Sequence, residues 1–179
     1  NYGTLLSATK DYSGAREKYE KALPIYEAKN GPDHPAIANI LFDMSLVERE
    51  TGNYGLAQAH LERAININEK AHGAESLGVA SCLSRLANLY AKQGDLTTAD
   101  SYLQDSLRIF EKNPEENSYR AAFAQATYWA LTGDRDKAIV FLKLAIERGH
   151  KAAFSNHADF ENLLGDPEFE ALKTEQKTK

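Results

Sequence analysis

Leu83-Ser84-Arg85-Leu86-Ala87-Asn88-Leu89-Tyr90-Ala91-Lys92-Gln93-Gly94-Asp95-Leu96-Thr97-Thr98-Ala99-Asp100-Ser101-Tyr102-Leu103 reads as two amphipathic helices meeting at a two-residue hinge. Leu83, Leu86 and Ala87 stand at i, i+3 and i+4 and so share one helical face. Gly94 can take the left-handed conformation that closes a helix, and Asp95 offers a carboxylate to the free N–H groups that open the next. The pattern recurs on both sides of this stretch. Asp11-Tyr12-x-x-Ala15, Asn53-Tyr54-x-x-Ala57, Asp95-Leu96-x-x-Ala99 and Asp134-Arg135-x-x-Ala138 are four echoes of it, the first three spaced at 42 residues and the last following at 39. A fixed period in this range specifies a stack of helical hairpins.

The flanking residues keep the register. Leu41, Met44 and Ser45 precede Gly52 as Leu83, Leu86 and Ala87 precede Gly94, and Ala122, Gln125 and Ala126 precede Gly133. The second helices carry Ala15, Tyr19, Ala22; Ala57, Leu61, Ala64; Ala99, Leu103, Ser106; and Ala138, Leu142, Ala145. Small residues at these spacings let two helix backbones approach closely, while Tyr19, Leu61, Leu103 and Leu142 fill the adjoining space. Hinges are thus expected near residues 10, 52, 94 and 133, although Lys10 stands where a Gly is expected.

Leu83-x-x-Leu86-Ala87-x-x-Tyr90, Gly94-Asp95 and Ala99-x-x-x-Leu103 together resemble the tetratricopeptide repeat, whose usual period is about 34 residues. The 42-residue spacing resembles the repeats of kinesin light chain, as does the junction Ile25-Tyr26-Glu27-Ala28-x-x-Gly31-Pro32-Asp33-His34-Pro35. Ile67-Asn68-Glu69-Lys70-x-x-Gly73-Ala74-Glu75-Ser76 is a degraded copy of that junction. The longer period adds roughly one turn to each helix, a turn taking about 3.6 residues. The resemblance covers residues 1–149 and implies an all-α, right-handed superhelical solenoid of antiparallel helix pairs with a C-terminal helical cap. Gln125 departs from the family pattern at a core Leu site, and Glu48 at a site held by Tyr90 and Trp129 in later repeats. The first repeat retains only the end of its first helix.

After Gly149 the period is lost. Phe154, Asp159, Phe160, Leu163 and Leu164, then Gly165-Asp166-Pro167-Glu168-Phe169-x-x-Leu172, form two short amphipathic pieces. Pro167 suits a first helical turn with Asp166 as its cap. The segment resembles the Asp-Pro-x-Phe-x-x-Leu ending of many bacterial tetratricopeptide arrays. Residues 150–172 are therefore expected to cover the last apolar face of the stack, and residues 173–179 to form a frayed tail.

Composition narrows function by exclusion. The chain has 179 residues, 42% hydrophobic and 26% charged, with a net charge of −5, which disfavours nucleic acid and negatively charged membrane surfaces. No apolar run approaches the roughly 20 residues needed to cross a bilayer. The single cysteine, Cys82, cannot form an internal disulfide and fits a small packed core residue in a reducing, cytoplasmic setting. The start Asn1-Tyr2-Gly3, without an initiator Met or signal-peptide pattern, predicts a piece of a longer bacterial-type protein. Histidines 34, 60, 72, 150 and 157 show no helical metal spacing, and no phosphate loop or nucleophile elbow is present. No enzyme, cofactor or metal site is expected.

Binding is the expected function. In stacked hairpins the first helices line the concave face, one residue beyond the core stripe. That register places Asn39, Phe42, Leu46 and Arg49, then Ser81, Ser84, Asn88 and Lys92, then Arg120, Phe123 and Thr127 in the groove. Phe42, Leu46 and Phe123 would supply apolar surface, and Arg49, Asn88, Lys92 and Arg120 would hold backbone or acidic groups of a peptide or partner helix. Phe42 and Phe123 packing instead against neighbouring helices is the alternative. The Lys, Asn and Arg set of chaperone-binding repeats is not matched here, nor are the paired asparagines of kinesin light chain. The resemblance thus implies a protein-binding scaffold without naming its ligand. A second reading is a regulatory or oligomerisation domain at the C-terminus of a larger signalling protein, its truncated first repeat packing on upstream repeats or self-associating with another copy.

Overall fold

The computed structural model describes residues 10–113, 119–150, 154 and 157–177, with side chains to residue 174. Among these the helices are α1 (Tyr12–Asn30), α2 (Pro35–Glu50), α3 (Tyr54–His72), α4 (Leu77–Gln93), α5 (Leu96–Lys112), α6 (Arg120–Thr132), α7 (Arg135–Glu147) and α8 (Pro167–Lys177). A 3-10 helix, Ala158–Leu163, lies between α7 and α8. The pairs α2/α3, α4/α5 and α6/α7 pack most extensively, and each pair stacks on the next. Helix α1 packs on α2, and the end of a first helix expected before it lies outside the described residues.

The hinges follow from local chemistry. Gly52, Gly94 and Gly133 have φ of 81°, 83° and 88°, the left-handed region that glycine enters without steric cost. Lys10 takes the same left-handed conformation at φ 63°, directly before the cap Asp11 of α1. Asp11, Asp95 and Asp134 accept hydrogen bonds from the N–H groups of Gly14, Thr98 and Lys137, as expected of helix caps. Asn53 differs from that expectation. Its side-chain amide turns back to donate to Glu48 Oε2 at 2.8 Å, and it makes no cap bond.

The reason is Glu48 itself. This acid occupies an aromatic site of the repeat and is only 3% exposed. Arg16 of α1 donates to both its oxygens at 2.8 Å, a bidentate pair that ties the first hairpin to the second. A buried carboxylate needs every available donor, and Asn53 supplies another.

Ala15, Ala57, Ala99 and Ala138 are fully buried, as are Leu61 and Leu142, so the short side chains sit where helix backbones meet. Burying one such leucine contributes about 1.5–3 kcal/mol. The junctions repeat as faithfully as the core. Lys70 pairs with Asp33 at 2.7 Å, and 42 residues on Lys112 pairs with Glu75. Helices α2 to α5 run to 16–19 residues, whereas α6 and α7 have 13 each.

At the far end Phe154, Phe160, Leu163, Phe169 and Leu172 join Ala126, Ala130, Ala138, Ile139 and Leu142 in one apolar cluster. The C-terminal segment thereby covers the last hairpin. Asp166 caps α8 through the N–H groups of Glu168 and Phe169, and Arg135 clamps its carboxylate. That hydrogen bonding, led by Arg135, holds the Asp166 pKa down at about 2.

Candidate functional site

The first helices α2, α4 and α6 line a pocket of about 160 Å³ on the concave face. Phe42, Leu46 and Arg49 come from α2, Ser84 and Asn88 from α4, and Arg120 and Phe123 from α6. The repeat register thus brings these seven expected groove residues together. Lys92, one turn beyond Asn88, stands outside the pocket and pairs with Glu50 at 2.6 Å. A second cavity of about 350 Å³ shares Phe42, Ser81 and Arg120 with the first and extends past Asn39 to His72. The two adjoin along these shared residues and together make up the trough of this face.

Phe42 and Phe123 are both groove and core residues. Phe42 packs against the cluster around Leu41, Leu61 and Leu86, while its ring carries the Arg85 guanidinium 3.8 Å from its centroid. Phe123 stacks on His150 with centroids 4.2 Å apart and meets His157 and Phe160 edge-on. Each ring shows one part to the apolar interior and another to the pocket.

The groove also contains residues of its own C-terminal segment. Asp159, on the 3-10 helix, reaches across the concave face to Arg49, and both side chains are 2% exposed. Asn88 donates from Nδ2 to Asp159 Oδ2 and to Thr127 Oγ1, at 3.0 Å each. Glu50 accepts from Arg49 Nε at 2.9 Å. Burial by itself would push the Arg49 pKa down, but Asp159 and Glu50 outweigh it and the net direction is up. Burial would likewise raise Asp159, yet Arg49 and the neighbouring cations bring it below the usual carboxylate value. His157, at the start of the same segment, has its pKa lowered by burial and is neutral at pH 7. Arg49 is therefore engaged within the chain rather than free for a partner.

The sequence register did not find Arg85, Tyr119, His157 or Asp159, all of which line the pocket. Arg85 follows Ser84 by one residue on α4. Asp159 had no signal beyond its place in the amphipathic piece between Phe154 and Leu164, which the repeat register does not reach. Among the described residues no three His, Cys, Asp or Glu side chains converge as a metal-binding group. No described helix is long and apolar enough to cross a membrane.

Stacked helical hairpins with a lined concave trough define a helical-repeat scaffold. The sequence profile described as the tetratricopeptide repeat matches residues 1–70 and 46–112, and the chain belongs to that family. The solved structure of BtubC (BKLC) from P. vanneervenii is similar at 20% sequence identity and a TM-score of 0.58, over 98% of this chain and 76% of that one. That likeness concerns the fold. No curated protein matches this chain.

Proposed function

We propose that the chain is a non-catalytic interaction module that binds a peptide or partner helix in its concave trough. Tetratricopeptide repeats generally mediate contacts between proteins. The observation that carries the reading is the pocket itself, where half-buried Phe42, Leu46 and Phe123 stand beside Ser84, Asn88 and Arg120. Apolar area inside a concave surface, rimmed by hydrogen-bonding groups, suits an extended segment whose side chains alternate between the two. Lys92 and Arg49 support the walls through Glu50. A cytoplasmic setting goes with this reading, since buried Cys82 is the chain's one thiol.

Selection of peptides from a displayed library against the purified chain, followed by affinity measurement, tests this. The Phe42→Ala/Phe123→Ala variant should lose at least tenfold in affinity for the selected peptides. Undiminished binding by a folded double variant would sink the groove reading. A second reading, self-association at the first hairpin, is favoured by Ile25 and Tyr26 on α1, exposed to 66% and 45%. Light scattering across a concentration series decides it: a constant monomer mass removes it.

A further inference from the structure

The trough is basic at its centre, in a chain whose net charge is −5. Arg49, Arg85 and Arg120 line the pocket against one carboxylate, Asp159, with His157 neutral beside it. Arg49 already holds Asp159. Arg85 Nη1 is buried and has no hydrogen-bond partner among the described residues. Its guanidinium carbon lies 3.8 Å from the centroid of the Phe42 ring, a cation–π contact that holds it at the pocket wall. The acids that act on it electrostatically, Asp43 and Asp159, make no hydrogen bond to it: Asp43 accepts from the Tyr19 hydroxyl at 3.4 Å, and Asp159 accepts from Arg49 and Asn88. Arg120 lies at the exposed mouth near the Tyr119 ring, with no ion pair among the described residues.

A buried guanidinium N–H without an acceptor is costly, and a second guanidinium at the mouth leaves the residues lining the pocket with an excess of two positive charges. We propose that this part of the trough receives a phosphorylated side chain of a partner peptide, its phosphoryl oxygens bound by Arg85 and Arg120. The inference rests on the peptide-binding reading above and names the chemistry its ligand carries. A phosphoryl group brings about −1.5 to −2 charges at neutral pH and three acceptor oxygens, which match two uncommitted guanidinium groups. A carboxylate would compensate one of them and leave the other. The rings of Phe42, Tyr119 and Phe123 bound the site and accommodate the apolar stem that presents the phosphate.

Calorimetric titration with phenyl phosphate and benzoate isolates the charge requirement, since each joins an aromatic ring to one anion. Phenyl phosphate should bind at least tenfold tighter than benzoate, and Arg85→Met or Arg120→Gln should each remove most of that preference. Equal affinity for the two probes, or a preference that survives in Arg120→Gln, overturns the proposal. If Arg85→Met fails to fold by circular dichroism, the exposed Arg120 and the milder Arg85→Lys carry the test. Phosphorylated and unphosphorylated copies of one peptide library then separate the two levels of the argument. Binders that gain nothing from phosphorylation leave the groove reading standing and remove the phosphate site. No binder from either copy removes both.

Discussion

Arg49 on α2 and Asp159 on the C-terminal 3-10 helix, 110 residues apart in sequence, form a buried ion pair across the concave face. Breaking such a pair from one side strands the other charge. Asp159→Ala should lower stability by about 3 kcal/mol, the low end of the range for buried pairs because Glu50 still receives Arg49 Nε. Urea unfolding measures it. Arg49→Met combined with Asp159→Leu should recover most of the loss, which separates the cost of an orphaned charge from the value of the contact.

The same pair sets a pH dependence. The folded-state pKa of Asp159 lies below the ordinary value of 3.8, so the unfolded chain binds more protons and stability rises with pH through that region. The contribution is fully present above the unfolded pKa and lost as pH falls through the depressed one. The difference in urea midpoint between the native chain and Asp159→Asn should therefore be flat from pH 7 to 5. It should shrink below pH 4; a difference unchanged down to pH 2.5 would refute the linkage.

Lys10 holds a left-handed conformation with a side chain that disfavours it. Relative to Lys10→Ala, Lys10→Gly should be more stable by about 1 kcal/mol, because both lose the exposed Lys10–Glu161 pair and only glycine relieves the backbone. Thermal unfolding of the two variants gives the comparison directly.

Ala57 and Ala99 are fully buried between packed helices. Replacing either by Leu should cost about 1–3 kcal/mol through overpacking, read as a lower denaturation midpoint. A Leu variant as stable as the parent at either site would mean that the helix backbones do not meet there.

Cys82 is buried on α4, and burial pushes its thiol pKa up to about 12. Thiol reagents act on the thiolate, so alkylation in native buffer should be at least a hundredfold slower than in denaturant. Rapid modification without denaturant would contradict the packing assigned to it.

The hairpins, hinges and most of the groove were legible in the sequence because they repeat. Gly94-Asp95 and Ala99 recur at fixed distances, and a register once found assigns every neighbouring residue to core or groove. Phe42, Ser84 and Phe123 came to the pocket by that rule alone. What the register could not reach are contacts made once. Asp159 meets Arg49 from beyond the last repeat, and Glu48 is shared between Arg16 of α1 and Asn53. Arg85 was hidden for a subtler reason. It stands one position from Ser84, and a cation–π contact with the Phe42 ring of a neighbouring hairpin holds it at the pocket wall.

Helical-repeat stacks ordinarily behave as open zippers, since each hairpin touches only its neighbours and either end can peel away. Here the final segment grips the beginning, through Asp159 on Arg49 and Glu161 on Lys10. Peeling the last hairpin releases contacts on the first two, and loss of the first weakens the last. The linear array becomes a buckled belt, whose halves loosen together or hold together.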